Sequence, residues 1–463
     1  MSRSRERRDS FGGRRVHVIG LGAYGTGREV ARVLAARGAS VTVSDVKPAE
    51  HLASEIAALR DTQVAIQVGD DAYEGIEKAE LVVPSPGVPL DIPPLLRARE
   101  CGADVVSEIE VAFWIARCPI IAVTGTKGKS TTATLIGEIL KQEGRKVRVG
   151  GNVGRPLIAL ADRASGEELL VAEVSSFQLE GTESFRPRVA VLLNLFPDHL
   201  DRHPNMAGYR AAKAKLFANQ WPEDAAVINR DEAEAWRLRE STRAEVVPFS
   251  VSQAVPEGAD VSEGWLRVRA RPICRESSVR LRGRHNLSNA LAALAAAGCA
   301  GASLERAGDT LAGFEGLEHR LEAVAAVGGV TFFNDSQATT PDAAVAALEA
   351  FREHVVLVAG GRPKVHEFGN LAETMATRGT DLVVIGEAAD EIVEAAKAAG
   401  VESIERAGDL REAVEMARRR ARPGDVVLLS PACASFDMFR DMGERGRAFK
   451  EIVGKLAQVE RKD

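Results

Sequence analysis

The stretch I-I-A-V-T-G-T-K-G-K-S-T-T, Ile120–Thr132, determines the fold of the central part of this chain. Its first four residues form an apolar run that is typical of a buried parallel strand. Gly125 and Gly128 interrupt this run, and an apolar helical period begins at Ala133. A strand, a glycine loop and a helix in this order bind phosphate, because backbone N–H groups and the helix N-terminus face the anion. The stretch therefore predicts a nucleotide-phosphate site.

Two side chains of this loop suit a nucleotide. In a phosphate-binding loop Lys129 would contact the β and γ phosphates, and the Ser130 hydroxyl would bind Mg²⁺. The general pattern G-x-x-x-x-G-K-[ST] is incomplete, because Val123 occupies the position of its first glycine. A chance loop of the same composition is the alternative, and the flanking strand and helix argue against it.

Composition limits the class of protein. A length of 463 residues suggests about three domains, and hydrophobic and charged fractions of 45% and 27% are those of a globular protein. A net charge of -6 argues against nucleic-acid binding. The 5 cysteines include no C-x-x-C pair and indicate reduced thiols in a cytoplasmic protein. Apolar runs are too short to span a membrane. Residues 1–14 are rich in arginine but lack the apolar stretch of a secretory signal, which predicts a disordered basic tail.

A second glycine motif lies near the N-terminus. A strand at Val16–Ile19 is followed by G-L-G-A-Y-G at Gly20–Gly25 and by a helix over Arg28–Arg37. The next strand, Ser40–Asp45, ends in an acid twenty residues after the last glycine. This pattern places a diphosphate at a helix N-terminus and a carboxylate on a ribose hydroxyl. It identifies a diphosphate and a polar sugar or base, but not a nicotinamide.

The same region contains a proline-rich turn. Strand Leu81–Val83 ends in Pro84–Pro89, at the sheet edge where parallel strands present their loops to ligands. A rigid structural turn is an equal alternative. Alternating strands and helices predict a small doubly wound domain over residues 15–107.

The middle of the chain adds acidic and imidazole groups. Leu169–Ser176 predicts a buried strand that contains Glu173, and a buried carboxylate is costly unless it is paired or binds a metal. The Mg²⁺ implied by the phosphate-binding loop is the simplest partner. Strand Val189–Leu193 runs towards His199 and His203. Its position after a strand end favours a site role for His199, whereas the role of His203 is open.

Two further segments complete the predicted central domain, residues 108–317. Tyr209–Lys215 is helical in character, and spacing alone assigns no function to Lys213. Asn286 or Ser288 is expected to cap the Ala- and Leu-rich helix that follows.

The last third, residues 318–463, predicts another doubly wound domain, so that the fold class is α/β with three such domains. Its expected strands are Val330–Phe333, Val355–Val358, Leu382–Ile385 and Val426–Leu429. Helix Asp342–Ala350 follows the first of them. Three of the strands end in polar clusters, where folds of this kind bind substrates.

Together these motifs resemble the Mur ligase family over nearly the whole chain, from about Arg15 to Lys455. The resemblance rests on stretches in the family's order: GTKGKST, GGNVG, AEVSSFQLE, NLFPDHLDRH, YRAAK, GRHNLSNA, EHR, NDSQATTPDA and SPACASFDMF. SSFQLE and SPACAS point to the member that adds D-glutamate. The resemblance implies an N-terminal domain for the UDP-sugar, a central P-loop ATPase and a C-terminal domain for the amino acid.

The resemblance also implies ligands for individual residues. Those implied for the UDP-sugar are Gly20, Leu21, Gly22, Ala23, Asp45, Ser85, Pro86, Gly87 and Asn152. Those implied for ATP are Gly125, Thr126, Lys127, Gly128, Lys129, Ser130, Thr131, Asn286, Arg320 and Asp335. Those implied for the amino acid are Gln337, Thr339, Lys364, Ser435 and Phe436.

The implied chemistry requires ATP, two Mg²⁺ ions and CO₂. Ser130, Glu173, His199 and Lys213 would bind the metal, Lys213 after CO₂ has converted it to a carbamate, and Lys129, His199 and Lys213 would be catalytic. The implied enzyme is a cytoplasmic monomer that joins D-glutamate to UDP-N-acetylmuramoyl-L-alanine through an acyl phosphate, in peptidoglycan precursor synthesis.

Several alternatives remain. A sibling ligase would add L-glutamate or a diamino acid, and a folylpolyglutamate synthase-like ligase is more distant. An NAD-dependent dehydrogenase would leave the phosphate-binding loop unexplained. A non-catalytic nucleotide-binding regulator would not need Glu173, His199 and Lys213 together.

Three positions depart from the family pattern. Lys127 stands where asparagine is usual, Gln337 replaces a common lysine, and Arg362-Pro363 precedes Lys364 where glycine is usual. The change at Gln337 removes a cation near the expected amino acid, and it bears on which amino acid is added.

Overall fold

The computed structural model describes residues 11–21, 25–199, 202–281 and 283–460. Gly22 and Ala23 of the predicted UDP-sugar loop, and residues 1–10 of the predicted tail, lie outside the described residues. Residues 11–14 of that tail are part of the first domain. Phe11 is buried, and Arg14 forms an ion pair with Asp104 at 2.6 Å.

The N-terminal region forms a parallel sheet with the strand order β3-β2-β1-β4-β5. Its elements are β1 (Arg15–Ile19), α1 (Thr26–Ala36), β2 (Ser40–Asp45), α2 (Ala53–Ala57), β3 (Ala65–Val68), β4 (Leu81–Pro84), α3 (Pro93–Glu100) and β5 (Asp104–Val105). The valines of β1 and β4 are buried on both faces of the sheet, which is usual for parallel strands covered by helices. The order reverses next to β1, so the loops after β1 and β4 lie side by side at the ligand-binding edge.

The central region forms a mixed sheet with the order β14-β13-β12-β11-β10-β9-β6-β8-β7. Its strands are β6 (Ile120–Thr124), β7 (Val147–Gly151), β8 (Leu169–Glu173), β9 (Val189–Leu192), β10 (Ala225–Asn229), β11 (Glu245–Ser250), β12 (Ala259–Ser262), β13 (Trp265–Val268) and β14 (Arg271–Arg275). Its helices are α4 (Glu108–Ile115), α5 (Lys129–Gln142), α6 (Leu157–Ala161), α7 (Ser176–Glu180), α8 (Met206–Ala214), α9 (Ala233–Arg237), α10 (Arg284–Cys299) and α11 (Ala307–Gly313). The pairs β12–β13 and β13–β14 are antiparallel, and the other pairs are parallel.

The C-terminal region forms a sheet with the order β15-β16-β20-β17-β18-β19, in which β15 alone pairs antiparallel among the described strands. Its elements are β15 (Glu322–Val327), β16 (Val330–Asn334), α12 (Pro341–Glu349), β17 (Val355–Gly360), α13 (Gly369–Arg378), β18 (Asp381–Ile385), α14 (Ala389–Ala398), β19 (Ile404–Arg406), α15 (Leu410–Arg420), β20 (Val426–Leu429) and α16 (Met442–Glu460). The three polar clusters that the sequence predicts at strand ends lie in the loops after β16, β17 and β20, and these strands are neighbours in the sheet.

The chain divides into two compact units. The first comprises residues up to Val279 together with His285–Ala312, and the second comprises Arg280–Arg284 and the chain from Gly313 onwards. The N-terminal and central sheets therefore belong to one unit. One hydrophobic cluster includes Leu34 of the N-terminal region and Leu157 of the central region. None of the helices in the described ranges is long and apolar enough to cross a membrane.

Two local predictions were wrong. The strand expected over Leu169–Ser176 ends at Glu173, because the Ser175 side chain accepts the Gln178 N–H and forms a capping box that begins α7. The Ala- and Leu-rich helix begins at Arg284, so Asn286 and Ser288 lie inside it and do not cap it.

Candidate active site

The loop between β6 and α5 has a backbone that requires glycine. Gly125 and Gly128 have φ values of +156° and +89°, and the latter lies in the left-handed region that disfavours other residues. A Cβ atom at Gly128 would also lie 2.4 Å from Oδ1 of Asn289 in α10. The loop therefore lies directly against α10, and its peptide groups start helix α5 at Lys129.

Two lysines share one carbonyl group of this loop. Lys129 Nζ donates to the carbonyl oxygens of Gly125 and Thr126 at 3.1 and 3.0 Å. Lys213 Nζ, from α8, donates to the same Gly125 oxygen at 3.0 Å and lies 3.3 Å from Thr124 Oγ1. The structure thus brings together the phosphate-loop lysine and the lysine to which sequence spacing assigned nothing.

Lys213 is the more unusual of the two. Its side chain is 1% exposed, and burial, with repulsion from Lys129 second, lowers its pKa well below the ordinary value. The carboxylates of Asp198 and Glu173 oppose this shift. A lowered pKa favours the neutral form of a buried lysine, and the neutral amine is the form that acts as a nucleophile.

Glu173 lies at the end of β8, beside the same loop. Its carboxylate accepts hydrogen bonds from Ser130 Oγ at 2.6 Å and from Asn152 Nδ2 at 3.2 Å. The Asn152 N–H also donates to the Glu173 carbonyl group at 2.8 Å. Glu173 is 4% exposed, so a buried carboxylate, a hydroxyl and an amide meet at the mouth of the phosphate loop.

The side-chain oxygens of Ser130 and Glu173 suit Mg²⁺. The contacting groups of Ser130 and Glu173 are oxygens, and Mg²⁺ prefers oxygen ligands. Among the described residues, no group of three or more His, Cys, Asp or Glu side chains is placed to hold a metal. One buried carboxylate with a hydroxyl nevertheless fits Mg²⁺, because this ion keeps several waters and binds substrate phosphates through one or two protein carboxylates.

The two histidines lie in different surroundings. The His199 side chain is 48% exposed, has a φ of 53°, and contacts Asp198 at 3.6 Å and the Phe177 ring at a centroid distance of 4.8 Å. The metal assignment implies that His199 lies beside Ser130 and Glu173. Its contacts in the structure are instead with Asp198 and Phe177. His203 is buried, with ring nitrogens 3.0 Å from Ser176 Oγ and 3.3 Å from Glu180 Oε1.

Sequence reasoning missed two side chains that shape the loop. Asn194, two residues after the end of β9, accepts the Lys127 N–H at 2.9 Å and donates to the Lys127 carbonyl at 3.0 Å. The Tyr209 hydroxyl lies 3.1 Å from Thr126 Oγ1. The position of Asn194 at a strand end was the available signal, whereas no local pattern indicated Tyr209.

The described UDP-sugar residues of the N-terminal region lie on two adjoining loops. Ser85 Oγ donates to the Gly20 carbonyl at 2.7 Å, which joins the loops after β1 and β4. The Asp45 carboxylate accepts the N–H groups of Leu21 at 3.0 Å and of Lys47 at 3.0 Å. Asp45 therefore orients the glycine loop in the described structure. Pro86 and Gly87 follow in the turn whose last hydrogen bond is from Val88 N to Ser85 O, at 2.9 Å.

In the C-terminal unit, the predicted amino-acid residues lie on neighbouring strand ends. Lys364 Nζ donates to Thr339 Oγ1 at 2.9 Å, so the loops after β16 and β17 meet through these side chains. Ser435 is buried and Phe436 is 61% exposed in the loop after β20. The Gln337 N–H donates to the His319 carbonyl at 3.0 Å, which fixes its backbone.

A buried arginine, also missed from sequence, holds two of these loops. Arg445 in α16 is 0% exposed. Its guanidinium donates to Ser336 Oγ at 3.0 Å, to the Ser336 carbonyl at 2.9 Å and to the Cys433 carbonyl at 3.1 Å. Burial lowers its pKa to about 10. The loops after β16 and β20 are thus fixed by a cation that is itself inaccessible.

Two of the remaining predicted nucleotide residues, Asp335 and Asn286, have hydrogen-bond partners in the described structure. Asp335 is buried and accepts hydrogen bonds from Leu321 N at 3.1 Å and Ser430 Oγ at 2.8 Å, and burial raises its pKa to about 7. Asn286 Oδ1 accepts a bond from Asn289 Nδ2 at 3.1 Å. Arg320 is half-buried. Of the positions that depart from the family pattern, Arg362 forms a bidentate ion pair with Glu387. The Glu387 carboxylate therefore balances the charge of the Arg362 guanidinium.

Comparison with known proteins identifies the family of this chain. Three family models match, described as Mur ligase MurD-like, N-terminal domain (residues 14–107), Mur ligase middle domain (123–297) and Mur ligase, glutamate ligase domain (319–433). The UDP-N-acetylmuramoylalanine–D-glutamate ligase of Pelotomaculum thermopropionicum is 48% identical over 96% of this chain and 98% of its own. The enzyme of that name from Acidobacterium capsulatum is 43% identical over 95% and 96%. The chain belongs to the Mur ligase family.

Solved Mur ligases share the fold of this one. The UDP-N-acetylmuramate–alanine ligase of Thermotoga maritima superposes with a TM-score of 0.62 at 21% identity, covering 95% of this chain and 99% of its own. MurF from Acinetobacter baumannii gives a TM-score of 0.59 at 17% identity, with 91% of each chain covered. The predicted α/β class with doubly wound domains is confirmed.

Proposed function

We propose that this Mur ligase joins D-glutamate to UDP-N-acetylmuramoyl-L-alanine with the hydrolysis of ATP to ADP and phosphate. The observation that carries the proposal is full-length identity of up to 48% with ligases of that name. The assembly of the half-buried Lys129 and Ser130 with the buried Lys213 and Glu173 supports the ATP-dependent half of the reaction. We keep the boundaries 15–107, 108–317 and 318–463 as proposed domains for the UDP-sugar, ATP and the amino acid.

The first step is phosphoryl transfer. The substrate carboxylate attacks the γ-phosphorus of ATP, the bond to the β-phosphate oxygen breaks, and an acyl phosphate and ADP form. Negative charge grows on the phosphoryl oxygens, and Lys129 can leave the carbonyl groups of Gly125 and Thr126 to stabilise it. Ser130 and Glu173 would hold Mg²⁺, which supplies further neutralisation of phosphate charge when bound.

The second step is amide formation. The neutral amine of D-glutamate attacks the acyl carbon, and the tetrahedral intermediate collapses with loss of phosphate and of one proton from nitrogen. Water must be kept from the acyl phosphate, since hydrolysis would waste it. Thr339, Lys364 and Ser435 are proposed to bind the glutamate carboxylates, with Lys364 supplying charge.

Lys213 is proposed to act as a carbamate. The neutral amine of Lys213 would add to CO₂ and lose a proton, which converts a cation into an anionic oxygen ligand suited to a second Mg²⁺. The supporting observations are its burial, its lowered pKa and its contact with the phosphate loop. His199 is proposed as a further ligand, and this requires its exposed side chain to turn from Phe177 towards Glu173.

Phosphate release tests the proposal directly. The chain is incubated with ATP, Mg²⁺, UDP-N-acetylmuramoyl-L-alanine and, in turn, D-glutamate, L-glutamate and a diamino acid. We expect release that depends on both acceptor and D-glutamate. Turnover with L-glutamate or a diamino acid but not with D-glutamate would identify a sibling ligase, and acceptor-independent turnover would reject ligation.

A further inference from the structure

Arg202 connects two parts of the first unit that the proposed reaction must keep aligned. Its guanidinium Nη2 donates to the carbonyl oxygen of Val88 at 3.2 Å and to Glu180 Oε2 at 2.7 Å. Val88 ends the turn after β4, in the N-terminal sheet, whereas Glu180 ends helix α7 of the central region. One side chain therefore binds both regions at once.

On the N-terminal side, the contact reaches the proposed diphosphate loops through consecutive hydrogen bonds. Val88 N donates to the Ser85 carbonyl at 2.9 Å, and Ser85 Oγ donates to the Gly20 carbonyl at 2.7 Å. The Gly20 carbonyl also lies close to Gly27 of α1, where a Cβ atom would fall 1.8 Å from its oxygen. Val88 is thus linked to the loop after β1 through two hydrogen bonds.

On the central side, the contact reaches the segment that follows β8. The second oxygen of Glu180 lies 3.3 Å from His203 Nδ1, and His203 Nε2 lies 3.0 Å from Ser176 Oγ. Ser176 begins α7, three residues after Glu173. The guanidinium of Arg202 also lies 5.4 Å from the centroid of the Phe177 ring. The Arg202 side chain is 15% exposed, so water screens these contacts weakly.

We propose that Arg202 is a positioning residue for the UDP-linked substrate, which holds the Ser85–Val88 turn in register with α7 and Glu173. This inference rests on the proposed function. A substrate that is held by its diphosphate at one end and reacts at its carboxylate at the other depends on the distance between the two loops. If the two loops shift apart, the substrate can no longer contact both at their present spacing, so that its binding weakens and its KM rises.

The chain offers a matched control at the opposite edge of the sheet. Arg37, which follows the C-terminal end of α1, forms an ion pair with Asp162 after α6 at 3.0 Å. It also connects the N-terminal and central regions and is also partly buried, at 27%. Helix α1 runs away from the ligand-binding edge, so Arg37 stabilises the same pair of regions without contacting the substrate loops.

The experiment compares Arg202→Ala, Arg202→Lys and Arg37→Ala with the wild type by steady-state phosphate release and by melting temperature. We expect Arg202→Ala to raise the KM for UDP-N-acetylmuramoyl-L-alanine by about ten-fold, with the KM for ATP within about two-fold. Arg202→Lys should recover part of the loss, because an ammonium can still pair with Glu180. Arg37→Ala should lower the melting temperature without changing either KM.

The possible failures are distinguishable. If Arg202→Ala and Arg37→Ala lower the melting temperature equally and leave the KM of the UDP-linked substrate unchanged, Arg202 is structural and the inference is wrong. If Arg202→Ala does not fold, the decision passes to Arg202→Gln, which removes the charge of the side chain, and an unchanged KM for the UDP-linked substrate in that variant would also reject the inference. A wild-type chain that releases no phosphate when UDP-N-acetylmuramoyl-L-alanine and D-glutamate are added to ATP and Mg²⁺ would instead reject the proposed function.

Discussion

The basic side chains of the central and C-terminal regions differ in burial and in hydrogen-bond partners. In the central region, the reactive lysine candidates Lys129 and Lys213 rest on loop carbonyl groups, and Lys213 is fully buried. In the C-terminal unit the buried cation is Arg445, which holds loops together, while the ligand-binding candidate Lys364 is exposed and bonds a hydroxyl.

This difference has a physical consequence. A half-buried cation held by neutral carbonyl groups, as Lys129 is, gains much from an arriving anion, because charges interact more strongly where water is partly excluded. An exposed lysine is already well solvated and gains less. We therefore expect substitutions in the central region to affect rate severely, and those around Lys364 to affect amino-acid binding moderately.

The largest effect is expected at the phosphate loop. Lys129→Ala should reduce acceptor-dependent phosphate release by about 10³-fold, the upper end of the roughly 10²- to 10³-fold range for removal of one fixed group that stabilises a developing charge. Lys141→Ala is the control, because it lies on the same helix and pairs with Glu138 at the surface. Activity of Lys129→Ala within a few-fold of the control would remove the loop from the mechanism and abolish the contrast.

The second test concerns Lys213. If the carbamate forms, Lys213→Ala should lose activity by about 10²-fold, and formate or acetate should restore part of it by supplying an oxygen anion. Lys215→Ala is the control: Lys215 is the next lysine along the chain and donates to the Glu180 carbonyl. An equal response of both variants to the carboxylates would show that rescue is unrelated to a carbamate.

The framework of both regions was predictable from the sequence, because strand ends and glycine loops are local patterns. Strand Ser40–Asp45 and strand Val426–Leu429 have the predicted bounds. The burial of Lys213 was not predictable, since it depends on packing of α8 against a loop that lies 88 residues away in sequence. Arg445 was missed for the same reason, because its partners at Ser336 and Cys433 belong to other strand ends.

The third test uses pH to examine a buried carboxyl group of the C-terminal unit. Burial raises the pKa of Asp335 from its ordinary value of 3.8 to about 7, so between these values the folded state holds a proton that the unfolded state has released. Stability from this group therefore falls as pH rises through that window and stays low above pH 7.

Asp335→Asn removes this titration while retaining the shape of the side chain. The melting temperature of the variant relative to the wild type should rise from pH 5 to pH 8, by roughly 5 °C. A difference that is the same at both pH values would show that Asp335 is ionised in the folded state, as the opposing effect of Arg320 on its pKa favours.

The smallest effect is expected at Gln337, where a neutral amide stands in place of the family's usual lysine. Glutamate brings two carboxylates, and a charged donor binds a carboxylate more strongly than a neutral one. Gln337→Lys would restore the missing charge near Thr339 and Lys364, and the backbone there is already fixed by the Gln337–His319 hydrogen bond. We expect the KM for D-glutamate to fall by about two- to five-fold or to stay unchanged, because an exposed ion pair contributes about 1 kcal/mol at most.

Discrimination against L-glutamate should not change, since the added charge does not alter the geometry that distinguishes the two enantiomers. Phosphate release with each enantiomer measures both quantities, and Gln337→Met, which has a similar length without a charge, separates charge from shape. If Gln337→Lys instead reversed the preference between the enantiomers, the amino-acid end of the site would be set by position 337 and not by the Thr339–Lys364 pair.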